Sequence, residues 1–139
     1  MDRLSIRFRV DFGNGSALGP GKVALLEAIA RTGSLSQAAR DLKMSYRRGW
    51  LLLDSLNHSF RHRVAALSTG GRGGGGAALT PFGKSLVAAY RKLEGEVVRR
   101  ARSILAIVAR DTVRGTPAKV PRRRLQRPAP AKRRRPAGA

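Results

Sequence analysis

The chain has 139 residues, no cysteine, and 29 basic against 8 acidic side chains, for a formal net charge of +21. That length supports one modest core and not two full domains, and without cysteine neither disulfides nor a thiolate metal centre can form. The charge calls for an anionic partner, DNA or RNA before an acidic membrane, and no apolar run approaches a membrane span.

The opening MDRLSIRFRVDF is charged throughout, unlike a signal peptide. Within it Leu4, Ile6, Phe8, Val10 and Phe12 alternate with Ser5, Arg7, Arg9 and Asp11, which predicts a half-buried strand. GNGSALGPG then reads as a loop. From Gly21 the pattern turns helical, with Val23, Leu26, Ile29 and Ala30 as a stripe and Gly33 placed to end it. Ser34 and Gln37 have the spacing of a capping box, in front of a short helix whose apolar face is Leu35, Ala38, Ala39 and Leu42.

Ser45 can cap a third helix, in which Tyr46, Trp50, Leu53, Leu56 and Phe60 recur at helical spacing. Gly49 inside it costs about 1 kcal/mol relative to alanine and marks either a close approach to another surface or flexibility alone. Trp50 reads as core, while Tyr46 suits either packing or a phosphate contact. HRVAALS, a run with glycine at six of the seven positions Gly70 to Gly76, and AALT then form a hairpin with a glycine tip.

Gly83-Lys84-Ser85 supplies half of a phosphate-binding loop, but the first glycine that loop needs is Ala78 here. Thr80 and Pro81, an N-cap followed by proline at the first helical position, already start a helix ahead of it. The dinucleotide spacing inside a polyglycine run carries no information, and no βαβ unit follows. The helix runs over about 80–111 without proline, and about 30 residues give it a length of roughly 45 Å. Leu86, Tyr90, Leu93, Val97, Ala101, Ile104 and Val108 form its stripe, too long for one small core, so a second copy of the chain is the expected partner and these are the expected dimerisation residues.

Residues 112–139 hold ten Lys/Arg and no acid, a Pro/Arg/Ala-rich stretch expected to be a disordered basic tail. Residues 1–111 keep 19 basic and all 8 acidic side chains, so the expected folded unit is itself basic at +11. The tail either raises non-specific affinity through counterion release or reflects composition alone.

Strand, helix, short helix, turn, helix, hairpin is the order of a winged helix-turn-helix. The expected fold class is therefore α+β, mainly α, with an N-terminal strand, a glycine-tipped wing and a long C-terminal dimerisation helix. In such a domain the second helix of the pair enters the major groove, the first crosses the backbone, and the wing reaches adjacent phosphate or minor groove. Ser36 and Gln37 then meet phosphate at the start of the first helix. Ser45, Tyr46, Arg47 and Arg48 open the recognition helix, with the two guanidiniums able to bond guanine in bidentate fashion. Thr69 and Arg72 decorate the wing. The eight acids form no paired constellation for catalysis, His58 and His62 have no cysteine to complete a metal site, and no cofactor is called for.

GSLSQAARDLKMSYRRGWLLLDSLN followed by STGGRGGGGAALTPFGKSLVAAY resembles the N-terminal DNA-binding domain of the ModE family, the molybdate-responsive transcriptional regulators. The shared residues are Gly33-Ser34, Ser36-Gln37, Ala39, Ser45-Tyr46, Trp50, Thr69-Gly70-Gly71, Gly73 to Gly76, Leu79-Thr80 and Gly83; LysR-type regulators are similar more loosely. Arg48 and Gly49 depart from the family's pattern, so no operator sequence carries over. The resemblance implies a cytoplasmic, nucleoid-associated homodimer on a palindromic operator, with a separate molybdate-sensing portion in full-length members. Residues 112–139 cannot fold into an oxyanion-binding domain, and direct molybdate binding by this chain is not expected. The reading is a sequence-specific DNA-binding regulator and not an enzyme, with two alternatives: a weakly specific DNA-coating protein, and a helix-mediated assembly protein.

Overall fold

Three residues marked in the sequence as helix starts place their side chains on the free N–H groups of the helices they open. Ser34 Oγ accepts from Gln37 N at 3.2 Å, Ser45 Oγ from Arg48 N at 3.1 Å, and Thr80 Oγ1 from Gly83 N at 3.0 Å. The computed structural model describes residues 4–69, 75–112 and 115. Its order is β1 (Val10–Asp11), β2 (Ala17–Leu18), α1 (Pro20–Thr32), α2 (Leu35–Asp41), α3 (Tyr46–Ser59), β3 (Ala65–Ser68), β4 (Gly76–Leu79), α4 (Pro81–Ile104) and α5 (Ala106–Arg110). This is a mixed α+β winged helix-turn-helix. Most of the expected basic tail and the wing tip Gly70–Gly74, Arg72 included, lie outside the described residues.

The core gathers between α1, α2, α3 and the base of the wing, with Val23, Leu25, Leu26, Ile29, Leu53, Leu56 and Val64 fully buried. Burying each such side chain stabilises by about 1.5–3 kcal/mol. Gly33 ends α1 in the left-handed conformation at φ 69°, as its place in the sequence predicts. The turn from α2 to α3 closes with Lys43 N on Arg40 O and Met44 N on Ala39 O, both at 3.0 Å. This is a Schellman-type end in which Lys43, at φ 55°, holds the position that usually goes to glycine.

Burial alternates from Leu4 to Phe12 as the period-2 pattern predicts, yet ladder pairing is confined to Val10–Asp11. Its partner is Ala17–Leu18, within the segment read as a loop; Gly15, at φ 86°, lets the chain fold back between them. Of the residues before β1, Phe8 packs against the core. Phe8 stacks on Tyr90 at 4.8 Å between ring centroids, and Tyr90 Oη donates to Phe8 O at 2.9 Å.

The wing strands pair antiparallel, Ala65 opposite Leu79 through Ser68 opposite Gly76. Gly33 O accepts from Ala77 N at 2.8 Å, which seats β4 on the α1–α2 turn. Gly83, Lys84 and Ser85 lie in the first turns of α4, far from any phosphate-loop geometry. Arg91 on α4 bonds Glu27 of α1 and, at 2.8 Å, Glu94, and these two carboxylates hold its guanidinium more firmly charged than usual.

Three expectations need correction. Trp50 is 42% exposed, because the inward face of α3 is formed by Gly49, Leu53 and Leu56 and leaves the indole beside the wing. Tyr90 is buried in its own chain's core and Leu86 packs against that core, so this first half of the stripe is not available to a second copy. The long helix is interrupted at Leu105 (φ −95°, ψ 8°), between α4 and α5. The bonds Leu105 N to Ala101 O and Ala109 N to Leu105 O, both 2.8 Å, bracket the break. Residues 102–108 are all exposed, so packing does not oppose a local change of backbone angle there.

Candidate nucleic-acid interface

The first turns of α2 and α3 and the open end of the wing converge. Ser36, Tyr46, Thr69, Leu67, Ser68 and Gly76 line one cleft of about 370 Å³. The convergence follows from local geometry: the Lys43 turn sets α3 against α2, and β3 runs back along α3 from its C-terminal end toward its start. Ser68 Oγ closes the hairpin, donating to Gly76 O at 3.3 Å and accepting from Gly76 N at 3.2 Å.

Of the residues singled out from sequence, Ser36, Tyr46, Arg47, Arg48 and Thr69 are all exposed. Among the described residues neither Arg47 nor Arg48 has a carboxylate within ion-pair distance, whereas Arg9, Arg31 and Arg91 each do. Two free guanidiniums on the first turn of an exposed helix can reach an external anion without first breaking an internal pair. Ser45 is exposed, but its hydroxyl already serves the cap of α3.

Gln37 differs from its expected part. Its amide donates to Asp41 Oδ1 at 2.9 Å, so the reciprocal half of the capping box does not form; Ser34 N instead bonds Thr32 Oγ1 at 3.4 Å. The Gln37 amide and then the Arg31 guanidinium hold the Asp41 carboxyl below its ordinary range. The same two contacts tie the Asp41 carboxylate to Gln37 on its own helix and to Arg31 on α1. His58 approaches Asp54 O at 2.8 Å, and the His62 ring lies 5.6 Å from Phe82, so each has a neighbour within the fold.

Asn57 was missed in the sequence. Its Oδ1 accepts from Val64 N at 2.8 Å and Ala65 N at 3.3 Å, while its Nδ2 donates to Ala65 O at 3.2 Å. One side chain of α3 thus takes the place of a neighbouring strand at the root of β3 and sets the wing's position against the recognition helix. The available signal was a lone amide on the buried side of an apolar helix. Asn57→Ala leaves the N–H of fully buried Val64 without this acceptor and is expected to cost about 1–3 kcal/mol, read by chemical denaturation.

No protein-family model matches the chain. It is 44% identical over 85 residues to the molybdenum-pterin-binding protein MopB of Rhodobacter capsulatus, covering 61% of this chain and 32% of that one. With the molybdenum transport protein ModE of Azotobacter vinelandii it shares 39% identity over 94 residues, 68% and 35% of the two chains. The DNA-binding transcriptional dual regulator ModE of Escherichia coli K12 is 37% identical over 87 residues, 63% and 33%. The chain thus spans about a third of the length of these relatives.

Proposed function

We propose that this chain, which carries a winged helix-turn-helix domain of the ModE type, binds double-stranded DNA sequence-specifically as a homodimer and regulates transcription. The observation that carries this reading is the convergence of the α2 and α3 starts with the wing around one cleft, beside two guanidiniums with no ion-pair partner among the described residues. Arg47 and Arg48 meet base edges; Ser36, Ser45 and Tyr46 lie against phosphate; Gln37 positions Asp41 and offers its remaining N–H; Thr69 and Arg72 carry the wing to the neighbouring backbone. Residues 1–111 act as the DNA-binding unit and 112–139 as a basic tail that raises affinity for any duplex.

The second half of the α4 stripe supports the dimer. Leu93, Ile104 and Val108 are exposed, as are Leu105 and Ile107, and Val97 and Ala101 are half-buried. An apolar face of this kind is stabilised by a second copy. The protein then works where DNA is, in the cytoplasm at the nucleoid, and no direct molybdate binding is expected within residues 1–139.

Selection of bound duplexes from a random pool, at about 0.15 M salt, tests the proposal. A recovered palindromic site supports it; equal affinity for random and recovered duplexes favours the coating alternative, to which the net charge of +21 lends weight. Light scattering on the free protein tests the dimer, and a monomer at assay concentration would remove it. A dimer with no affinity for any duplex would leave the assembly alternative.

A further inference from the structure

Leu51 is 49% exposed and is absent from the hydrophobic side chains packed against the core. A solitary exposed leucine is ordinary on a protein surface; its place on α3 sets this one apart. The buried residues of the helix are Gly49, Leu53 and Leu56, and Leu51, two positions from both Gly49 and Leu53, stands on the opposite side. It lies four residues after Arg47 and three after Arg48, so the three side chains adjoin one another on the outward surface. Trp50, its neighbour, turns toward the wing instead, in a cleft shared with Asn57, Ala65 and Leu67.

We propose that Leu51 is a specificity-determining residue that reads the 5-methyl group of a thymine in the major groove, flanked by the contacts of Arg47 and Arg48. The inference rests on α3 being the helix that enters the groove. A leucine side chain neither donates nor accepts a hydrogen bond, and the thymine methyl is the distinctive apolar group on the major-groove edge of a base pair. With the helix seated by two guanidiniums on adjoining positions, the leucine between them is carried to the groove floor. Contact there removes apolar surface from water on both sides, which a cytosine or adenine edge does not offer.

The test uses the full chain and the best duplex recovered by selection, with each thymine replaced in turn by uracil, which deletes only the methyl. At one position per half-site uracil is expected to weaken binding by about fourfold, the effect of one buried methyl-sized group. Leu51→Ala is expected to bind the thymine and uracil duplexes alike at that position while keeping its preferences elsewhere. The substitution is at an exposed helical site and favours helix, and an unchanged circular dichroism spectrum and melting temperature establish folding. A recovered site indifferent to uracil everywhere overturns the inference alone, as does a thymine preference that survives in Leu51→Ala. Failure to recover any preferred site overturns the reading of α3 as well.

Discussion

Replacing Arg47 and Arg48 together by alanine is expected to abolish preference for a selected site while leaving weak, salt-sensitive binding to any duplex. Each bidentate contact to guanine contributes about 1–3 kcal/mol of discrimination, so either single variant should lose roughly 5- to 150-fold in specific affinity. The double variant should approach the affinity for random sequence. The fold is not at stake: both side chains are exposed, neither has a carboxylate partner among the described residues, and alanine favours a helical first turn. Ser45 caps α3 through the backbone N–H of Arg48, which the substitution keeps. Residual binding comes from the other 27 basic side chains of the 29 in the chain, and its logarithm should fall linearly with the logarithm of salt concentration. Competition between selected and random duplexes over a salt series reads both effects. Unchanged specificity in the double variant would mean that Arg47 and Arg48 do not read the bases.

Gly83→Ala should have the largest effect on stability. A Cβ built at Gly83 would lie 1.9 Å from Val64 O and 2.9 Å from Val64 C. Neither side can yield easily. Val64 O accepts from Thr80 N at 3.0 Å, Val64 N is held by Asn57, and Thr80 caps the helix in which Gly83 sits. Relief requires α4 to move off the root of the wing, at a cost of roughly 3 kcal/mol or more, a large share of the stability of a domain this size. Gly95→Ala is the matched control. It lies in the same helix with no neighbour within 4 Å of the added Cβ, and it should stabilise by about 1 kcal/mol. Urea denaturation of both variants separates the two cases, and a Gly83→Ala protein as stable as the parent would show that α4 can part from Val64 without cost. The glycine of the Gly-Lys-Ser triplet is therefore explained by helix-to-strand packing, with no part left for a nucleotide.

Local chemistry made much of the domain legible. Ser34, Ser45 and Thr80 are caps, Pro81 opens α4 and Gly33 closes α1, because each choice answers a backbone requirement within four residues of itself. The alternation of Leu4 to Phe12 likewise reports burial directly. Arg47 and Arg48 could be placed on the first turn of α3 because the cap before them fixes where that turn begins. Gln37 shows where local reasoning stops: the capping-box spacing is present, but the amide has two possible partners, and Asp41, with Arg31 beside it, is the one it takes.

What the sequence by itself determined is most of the order of elements, the starts of α2, α3 and α4, the wing and the surplus of positive charge. All of these depend on neighbours along the chain or on composition. Only the tertiary structure decided that Trp50 stands exposed beside the wing, that Tyr90 stacks on Phe8 in its own core, that Asn57 holds the root of β3, and that Gly83 abuts Val64. Helical periodicity lists the apolar positions on a stripe without saying what each one faces. That choice is made by the packing angle between elements, and the residues that meet there, such as Phe8 and Tyr90, lie up to 82 positions apart in the chain.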